Sequence, residues 1–597
     1  MPTSNTPLFA ADKLEQIEKL YSSLSQEQLV WISGYSAGLS SYTKLFGNVA
    51  PLLSGESVPT HVEVAKRKLT ILYGSHSGNC KGIANDALKV AQQLNIEATV
   101  ADLSQYKTKN IKNEQDVLII VSTHGQGVPP MAAEELYAFL HGKKAPRLDD
   151  IRFGVIALGD SSYKLFCKTG YDFQSQFEAL GAKSVSHIAA LDVDYKDAIE
   201  SVLHDVVSKF VDVSESKATT TTSAPKTTAV SDEIFEAELT NKVLLNGRGS
   251  EKETYHLEVS LEGSTISYQP GDALEVYATN NLELVDKILK QLQIDPEYAV
   301  LVGGKSVTIR EALHYHYEIT VVTPPVVKKI SEVVGNDNLK GLLADGDKFE
   351  KYLFGSDLLD ILVDYSIDLS AKQLTDVLRK LPPRLYSIAS SLDANPEEVH
   401  ITVGAVRFEK NSRGREGVAS TFLADRVPED GKLAIRIKAN DGFRLPADNN
   451  APIIMVGPGT GIAPFRAFLQ QREADEAKGK NWLVFGDQHF TTDFLYQAEW
   501  LKQRENGLLT KLDVAFSRDQ AEKVYVQHRL KENSKEVFQW LQEGGYFYVC
   551  GDMKRMAKDV KDTLLEIISK EGNFTQDATN EYFNNLRKSH HYQEDVY

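Results

Sequence analysis

The sequence predicts a multidomain α/β chain: a doubly wound domain, then a β-barrel carrying a helical insertion, then a second doubly wound domain. Three observations predict it. Short apolar runs at Leu69–Tyr73, Asp116–Ser122 and Phe153–Leu158 alternate with helical periodicity over residues 67–208. Strand-like alternation such as Thr254–Ser260 opens residues 233–446, yields to a helical stretch over about 280–380, and returns at Val399–Val403. Four more apolar runs, Ile453–Val456, Trp482–Phe485, Leu512–Phe516 and Tyr546–Val549, are separated by helical segments over residues 447–597. Continuous apolar strands read as parallel and buried on both faces. Loops beyond the carboxyl ends of such strands are where these sheets bind ligands.

The size agrees with several domains, since 597 residues exceed the ~250–300 at which a single core stops growing. A net charge of −17 excludes general nucleic-acid binding, because no basic stripe is available to neutralise phosphates. It fits docking onto a basic protein partner. The three cysteines, Cys80, Cys167 and Cys550, are far apart in sequence. They form neither a disulfide framework nor a metal knuckle, so no metal site is expected and a reducing cytoplasm is the predicted compartment. The first residues lack the basic-then-apolar pattern of a secretion signal, and no apolar run approaches the ~18 residues of a membrane span.

Residues 1–60 form a separate N-terminal segment, helical over 13–40. Ser25 with Gln28 makes a capping box there, and Leu24 with Leu29 a hydrophobic staple. Trp31, Gly34, Tyr35 and Gly38 suit either close approach of another helix or packing on the same chain. A Gly/Ser/Pro-containing stretch, Phe46–Pro59, ends the segment. Residues 209–232 are expected to be a flexible linker, because Ser214–Asp232 is rich in Thr, Ser and Ala with almost no apolar bulk. Such a tether has a typical reach of ~25 Å, enough for one domain to swing.

Three loops follow strands of the first doubly wound domain. Ser75, His76, Ser77, Gly78, Asn79 and Cys80 precede the helix Ile83–Leu94, where small hydroxyls and backbone N–H groups can wrap a terminal phosphate. Ser122, Thr123, His124, Gly125 and Gln126 open the second loop, which runs to Pro130. Leu158, Gly159, Asp160, Ser161, Ser162 and Tyr163, with Phe166 and Cys167, form the third. Tyr163 is placed to stack on a planar ring. The three loops resemble those of flavodoxin-type FMN domains in the diflavin reductases. The chain departs from that pattern at Ser77, Cys80 and Gln126, where Thr, Ala and an acid are usual. Loss of the acid favours an anionic reduced FMN.

A second set lies downstream. Arg384, Leu385, Tyr386 and Ser387 resemble the flavin-binding strand of the ferredoxin–NADP reductase family. There the arginine pairs with the FAD pyrophosphate, the tyrosine stacks on the flavin, and the serine bonds near N5. Thr402, Val403 and Gly404 match the next FAD segment. Gly417, Val418, Ala419 and Ser420 match a helix start suited to pyrophosphate. Phe408 stands where the family often has Tyr, which keeps stacking and loses a phenolic hydrogen bond. The resemblance also places Thr320 in the FAD set.

Gly457, Gly459, Thr460 and Gly461, continuing to Arg466, resemble the family's NADP-binding turn. Ser517, Arg518, Lys523, Val524, Tyr525, Val526 and Gln527 offer a hydroxyl, two cations and an aromatic ring, which suit an adenosine carrying a 2′-phosphate. An acid would suit unphosphorylated NAD. Asp559 joins this set by resemblance. The resemblance further implies that Ser387, Cys550 and Asp595 assist hydride transfer, and that Tyr597 stacks over FAD and must move aside for nicotinamide. Cys550 taken alone reads as a buried structural thiol.

Among diflavin reductases, the leader Leu29–Tyr35 and the terminal Tyr597 are similar to those of bacterial sulfite reductase flavoproteins. This implies NADPH-dependent electron transfer through FAD and FMN to a hemoprotein beta-component bearing siroheme and an iron–sulfur cluster, in sulfite reduction for cysteine biosynthesis. It also implies a homo-oligomer assembled through the N-terminal segment. The other readings are a soluble reductase serving a haem monooxygenase and a silent flavin-binding scaffold. The expected fold is thus a flavodoxin-like domain, a FAD-binding barrel with a helical insertion, and a Rossmann-like NADP-binding domain.

Overall fold

The computed structural model describes residues 67–75, 78–124, 127–211 and 234–597. The N-terminal segment, most of the linker, and the site residues His76, Ser77, Gly125 and Gln126 lie outside the described residues.

Residues 67–211 form a parallel sheet. Its strand order is Ala98–Asp102, Leu69–Gly74, Asp116–Ser122, Arg152–Leu158, Lys183–Ser184, with Ala189–Leu191 also paired to Arg152–Leu158. The order 2-1-3-4-5 is that of the flavodoxin-like doubly wound fold. Side chains alternate across the sheet, so Leu118 and Ile120 pack under one helix layer while Val117, Ile119 and Val121 pack under the other. This two-sided burial is why the run is apolar throughout. The packed chain continues to Phe210, which is buried and whose carbonyl accepts from Arg152, two residues beyond the expected end of the domain at 208.

Residues 234–446 form a six-stranded antiparallel sheet in the order Arg384–Ser387, Ala273–Tyr277, Lys432–Lys438, Phe235–Leu244, Thr254–Ser260, Glu398–Gly404. The end strands meet only through the bridge Ile388–Ile401. The expected barrel is therefore rolled without a continuous closing ladder. The reason is local: Arg384–Ser387 is four residues long and already pairs along its other edge with Ala273–Tyr277. The expected insertion is present as helices from Leu282 to Val377, with a hairpin at Ala299–Thr308. It has its own core, including Leu289, Val327, Leu358, Ile361 and Leu374.

The last region is a five-stranded parallel sheet in the order Lys511–Phe516, Asn481–Asp487, Ile453–Val456, Tyr546–Gly551, Tyr592–Val596. Its 3-2-1-4-5 order puts the reversal beside Ile453–Val456, above which doubly wound sheets bind nucleotides. The fifth strand was not among the runs read as strands. It positions the end of the chain.

Candidate functional site

Tyr592–Val596 pairs with Tyr546–Gly551, and the register sets Cys550 beside Asp595. Ser387 Oγ, from the antiparallel sheet, donates to Asp595 Oδ2 at 2.8 Å, and Cys550 Sγ lies 4.0 Å from the same oxygen. Two side chains, one from each sheet, thus converge on the Asp595 carboxylate. Burial pushes the Asp595 carboxyl up, against the opposing hydrogen bond from Ser387. Burial, helped by the Asp595 charge, pushes the Cys550 thiol well up. Cys550 is therefore a protonated thiol at neutral pH, not a nucleophilic thiolate.

Tyr597 closes this cluster. Its backbone N–H donates to Gly551 O at 3.1 Å, and its carbonyl accepts from Met553 N at 3.2 Å. Its hydroxyl lies 2.8 Å from Thr460 Oγ1, while 57% of the residue remains exposed. The backbone is thus tied at two points, and the exposed ring is held by one hydrogen bond.

Ser387, Asp595, Thr460 and Tyr597 edge a cleft of about 980 Å³, with the fully buried Cys550 behind them, at the upper end of the ~300–1,000 Å³ typical of ligand sites. Of the FAD set, Thr320, Arg384, Leu385, Tyr386, Ser387, Thr402, Gly404, Phe408, Gly417, Val418, Ala419, Ser420 and Tyr597 line it. Val403 does not. Strand alternation turns its side chain into the core, where it is fully buried. Two positioning residues were missed by sequence reasoning. Glu318 is buried; its Oε1 accepts from Thr320 N and Oγ1, and its Oε2 pairs with Arg384 Nη2 at 3.2 Å. Arg426 lines the cleft, bonds Thr421 Oγ1 and Val418 O, and holds a buried Nε without a partner. Neither was singled out by a motif; Glu318 reaches Arg384 across 66 residues and Arg426 reaches Thr279 O across 147. A buried guanidinium Nε without a partner, beside the helix start Gly417–Ser420 and with Arg384 on the same cleft, fits a diphosphate, so the cleft fits FAD.

In the first domain, Gly78 has φ 75° with open space where a side chain would stand. It opens the 15-residue helix Asn79–Gln93, which has no side-chain cap and no acid in its first turn. That positive end fits a phosphate. Ser75 Oγ accepts from Cys80 N at 3.4 Å, and Thr123 Oγ1 from Thr169 N at 3.1 Å. His124 pairs across the second loop with Val128. In the third loop, Ser161 N donates to Asp192 at 3.0 Å, Ser162 N to Asp160 at 2.8 Å, and Gly159 packs tightly under Phe166 and Cys167. Tyr163 is exposed, as a stacking ring must be before its ligand arrives. Leu158, Cys80 and Cys167 are buried, and burial pushes both thiols up to about 12. These three shape the loops from beneath.

The two flavin-type sites face one another. Arg379 Nη1 reaches Asp160 Oδ1 at 3.0 Å, and Lys438 Nζ donates to Asn79 Oδ1 at 2.7 Å. Burial alone would raise the Asp160 carboxyl, but Arg379 and the Ser162 N–H hold it below its usual value.

The nucleotide turn packs hard against the strand beside it. A side chain at Gly461 would stand 2.2 Å from Cys550 O, so only glycine lets the turn sit there. Gly459, at φ 59°, and Thr460 follow the strand end. Ser517 Oγ and N both reach Asp487 O. Lys523 and Tyr525 are exposed, and Gln527 Nε2 bonds Asp559 Oδ2 at 3.2 Å. Val526 is buried, and Val524 packs on the same core, so neither offers its side chain. Arg466 is also turned away from the nucleotide turn. It is buried against Ala389 O and His400 Nδ1, tying the two modules together. Burial and this guanidinium push His256 and His400 down to about 4, leaving both neutral.

Arg518 pairs with Glu251 at 2.7 Å, and both side chains are largely exposed. Such a pair is worth about 0–1 kcal/mol, which a 2′-phosphate can replace. Arg518→Ala is expected to raise the KM for NADPH about tenfold while changing that for NADH less than twofold; steady-state kinetics with both nucleotides checks this.

Comparison with known proteins agrees with this arrangement. The flavodoxin family model matches residues 71–204, the FAD binding domain 228–422, and the oxidoreductase NAD-binding domain 455–562. Proteins named sulfite reductase (NADPH) flavoprotein alpha-component are similar throughout. The one from Bacillus subtilis is 46% identical over 99% of both chains. That from Vibrio cholerae serotype O1 is 43% identical over 100% of this chain and 99% of its own, and that from Mannheimia succiniciproducens 44% over 98% of each. At such identity over nearly the full length, the chain belongs to the family of sulfite reductase (NADPH) flavoprotein alpha-components.

Proposed function

We propose that this chain is the electron-supplying component of an NADPH-dependent sulfite reductase. The observation that carries the reading is the Ser387–Asp595–Cys550 cluster at the edge of the large cleft, with the loops of the first domain held against the same module. Bound FAD would supply a two-electron acceptor for hydride, and bound FMN an outlet for single electrons. Arg384 and Gly417–Ser420 would hold the diphosphate of FAD, and Tyr386 and Tyr597 would offer aromatic faces to its ring. Ser387 donates to Asp595 and is thereby oriented toward the reacting edge; Cys550, kept protonated, adds a weak donor beside it. Arg518, Lys523 and Tyr525 select the 2′-phosphate of NADPH. Asn79, Gly78 and Ser75 hold the FMN phosphate, and Asp160 and Tyr163 frame its ring. The partner is a siroheme and iron–sulfur hemoprotein beta-component. The N-terminal segment assembles several copies of this chain in the cytoplasm, and the linker lets the first domain leave its seat to meet the partner.

The deciding experiment mixes the purified chain with a sulfite reductase hemoprotein and NADPH. Sulfide production is expected. Reduction of cytochrome c without sulfide production would instead favour a reductase with another client.

A further inference from the structure

Lys438, Ala439 and Asn440 leave the strand Lys432–Lys438 and stand between two cavities. One is the FAD cleft. The other, of about 590 Å³, lies against the first domain and includes Ser75 and Gly78 of its phosphate loop. These three residues line both. The segment touches the first domain twice: Lys438 Nζ donates to Asn79 Oδ1 at 2.7 Å, and Asp441 pairs with Lys81 at 3.1 Å. Between those two contacts, Asn440 Nδ2 reaches Asp595 Oδ1 at 3.4 Å, while Ser387 holds the other oxygen. The backbone of Asn440 is also held from the side of the antiparallel sheet. Its N–H donates to Asp272 Oδ1 at 3.0 Å, its carbonyl accepts from Phe443, and the Asp272 carbonyl accepts from Ile388, next to Ser387.

From this we infer that Lys438 is a positioning residue for hydride transfer. Seating of the first domain through Lys438 and Asp441 sets the segment that aims Asn440 at Asp595, so the phosphate loop of one site orients the carboxylate of the other. A misplacement of well under 1 Å at a reacting centre is costly, since about 1 Å can cost 10²-fold. The contact therefore does more than hold two domains together. A spatial chain of contacts is not itself proof of coupling, so the test must read the far end. The inference rests on FAD filling the cleft. If that reading failed, the purified chain would carry no FAD. If only this inference failed, FAD would be bound and reduced at an unaltered rate.

The test uses the full chain with FAD and FMN contents measured first. Single-turnover reduction by NADPH is followed across pH, together with amide hydrogen exchange over Tyr592–Val596. Lys438→Met is expected to slow hydride transfer about three- to tenfold, to shift the acid limb of its pH profile, and to speed exchange in that strand. Lys438→Arg is expected to stay within about twofold of the unaltered chain, since it keeps the charge and the donor. Asp441→Asn, which removes the second contact with the first domain and leaves Lys438 in place, is expected to move the same readouts less and in the same direction. Unchanged rate, profile and exchange in Lys438→Met would overturn the inference. So would equal losses in Lys438→Met and Lys438→Arg, which would mark a packing role only.

Discussion

Asp595→Asn is expected to lower the rate of hydride transfer from NADPH about 100-fold without lowering thermal stability at neutral pH. The carboxylate accepts from Ser387 and lies beside the Cys550 thiol, so its charge faces the place where the flavin edge must change charge. Losing one positioned acid–base or electrostatic group typically costs about 10²–10⁴-fold. The stability half follows from burial. Desolvation raises this carboxyl in the folded chain. The unfolded chain therefore gives up its proton first as pH rises through about 3.9. Any stability that Asp595 contributes is complete below that pH and is lost as pH climbs through the raised folded value. At neutral pH the charged form is a cost, and Asn removes the charge while keeping an acceptor for Ser387. The same titration should appear in catalysis: the hydride-transfer rate of the unaltered chain is expected to fall as pH drops through that raised value, and this limb should vanish in Asp595→Asn. Stopped-flow flavin reduction and calorimetry across pH test both halves. Equal activity in the variant, or a large loss of stability at neutral pH, would remove the role assigned to the carboxylate.

How much of this was legible in the chain differs between elements for physical reasons. Asp116–Ser122 and Ile453–Val456 are buried on both faces, so unbroken apolar runs mark them. Tyr592–Val596 escaped because it is an edge strand; Gln593, Glu594 and Asp595 make it read as polar, and only its pairing with Tyr546–Gly551 makes it a strand. Motifs picked out Ser387 and Asp595 although a separation of 208 residues hides their contact. Motifs also overreached within strands and helices. Period-two alternation sends Val403 inward between Thr402 and Gly404, and Val526 sits on the buried face at a helix start. Arg466, part of the nucleotide-turn pattern, serves the contact between modules instead. Lys438 and Asn440 were silent, because a side chain that works by reaching a distant segment leaves no local spacing to read; Glu318 and Arg426 combine local contacts with partners 66 and 147 residues away.

Removal of Tyr597 is expected to raise kcat/KM for NADH about 10- to 100-fold while changing that for NADPH by less. The ring lines the large cleft beside Ser387 and Asp595; under the proposed function nicotinamide would arrive there, and each turnover would have to displace it. The displacement cost is common to both nucleotides, but the means of meeting it is not. NADPH has a 2′-phosphate for Arg518 and Lys523, and binding energy gathered there can drive the ring aside. NADH lacks that anchor, so the same cost falls on it unrelieved. The backbone of Tyr597 is tied to Gly551 and Met553, which confines the movement to the side chain and makes the hydroxyl bond to Thr460 its latch. A neutral hydrogen bond of this kind is worth about 0.5–1.5 kcal/mol. Tyr597→Phe should therefore capture only a few-fold of the effect, and Thr460→Ala should match it. Steady-state kinetics with both nucleotides separates the two contributions. If deletion of Tyr597 left the NADPH-to-NADH ratio unchanged, selectivity would have to reside wholly in the adenosine end, and the ring would be a cover for the flavin rather than a gate.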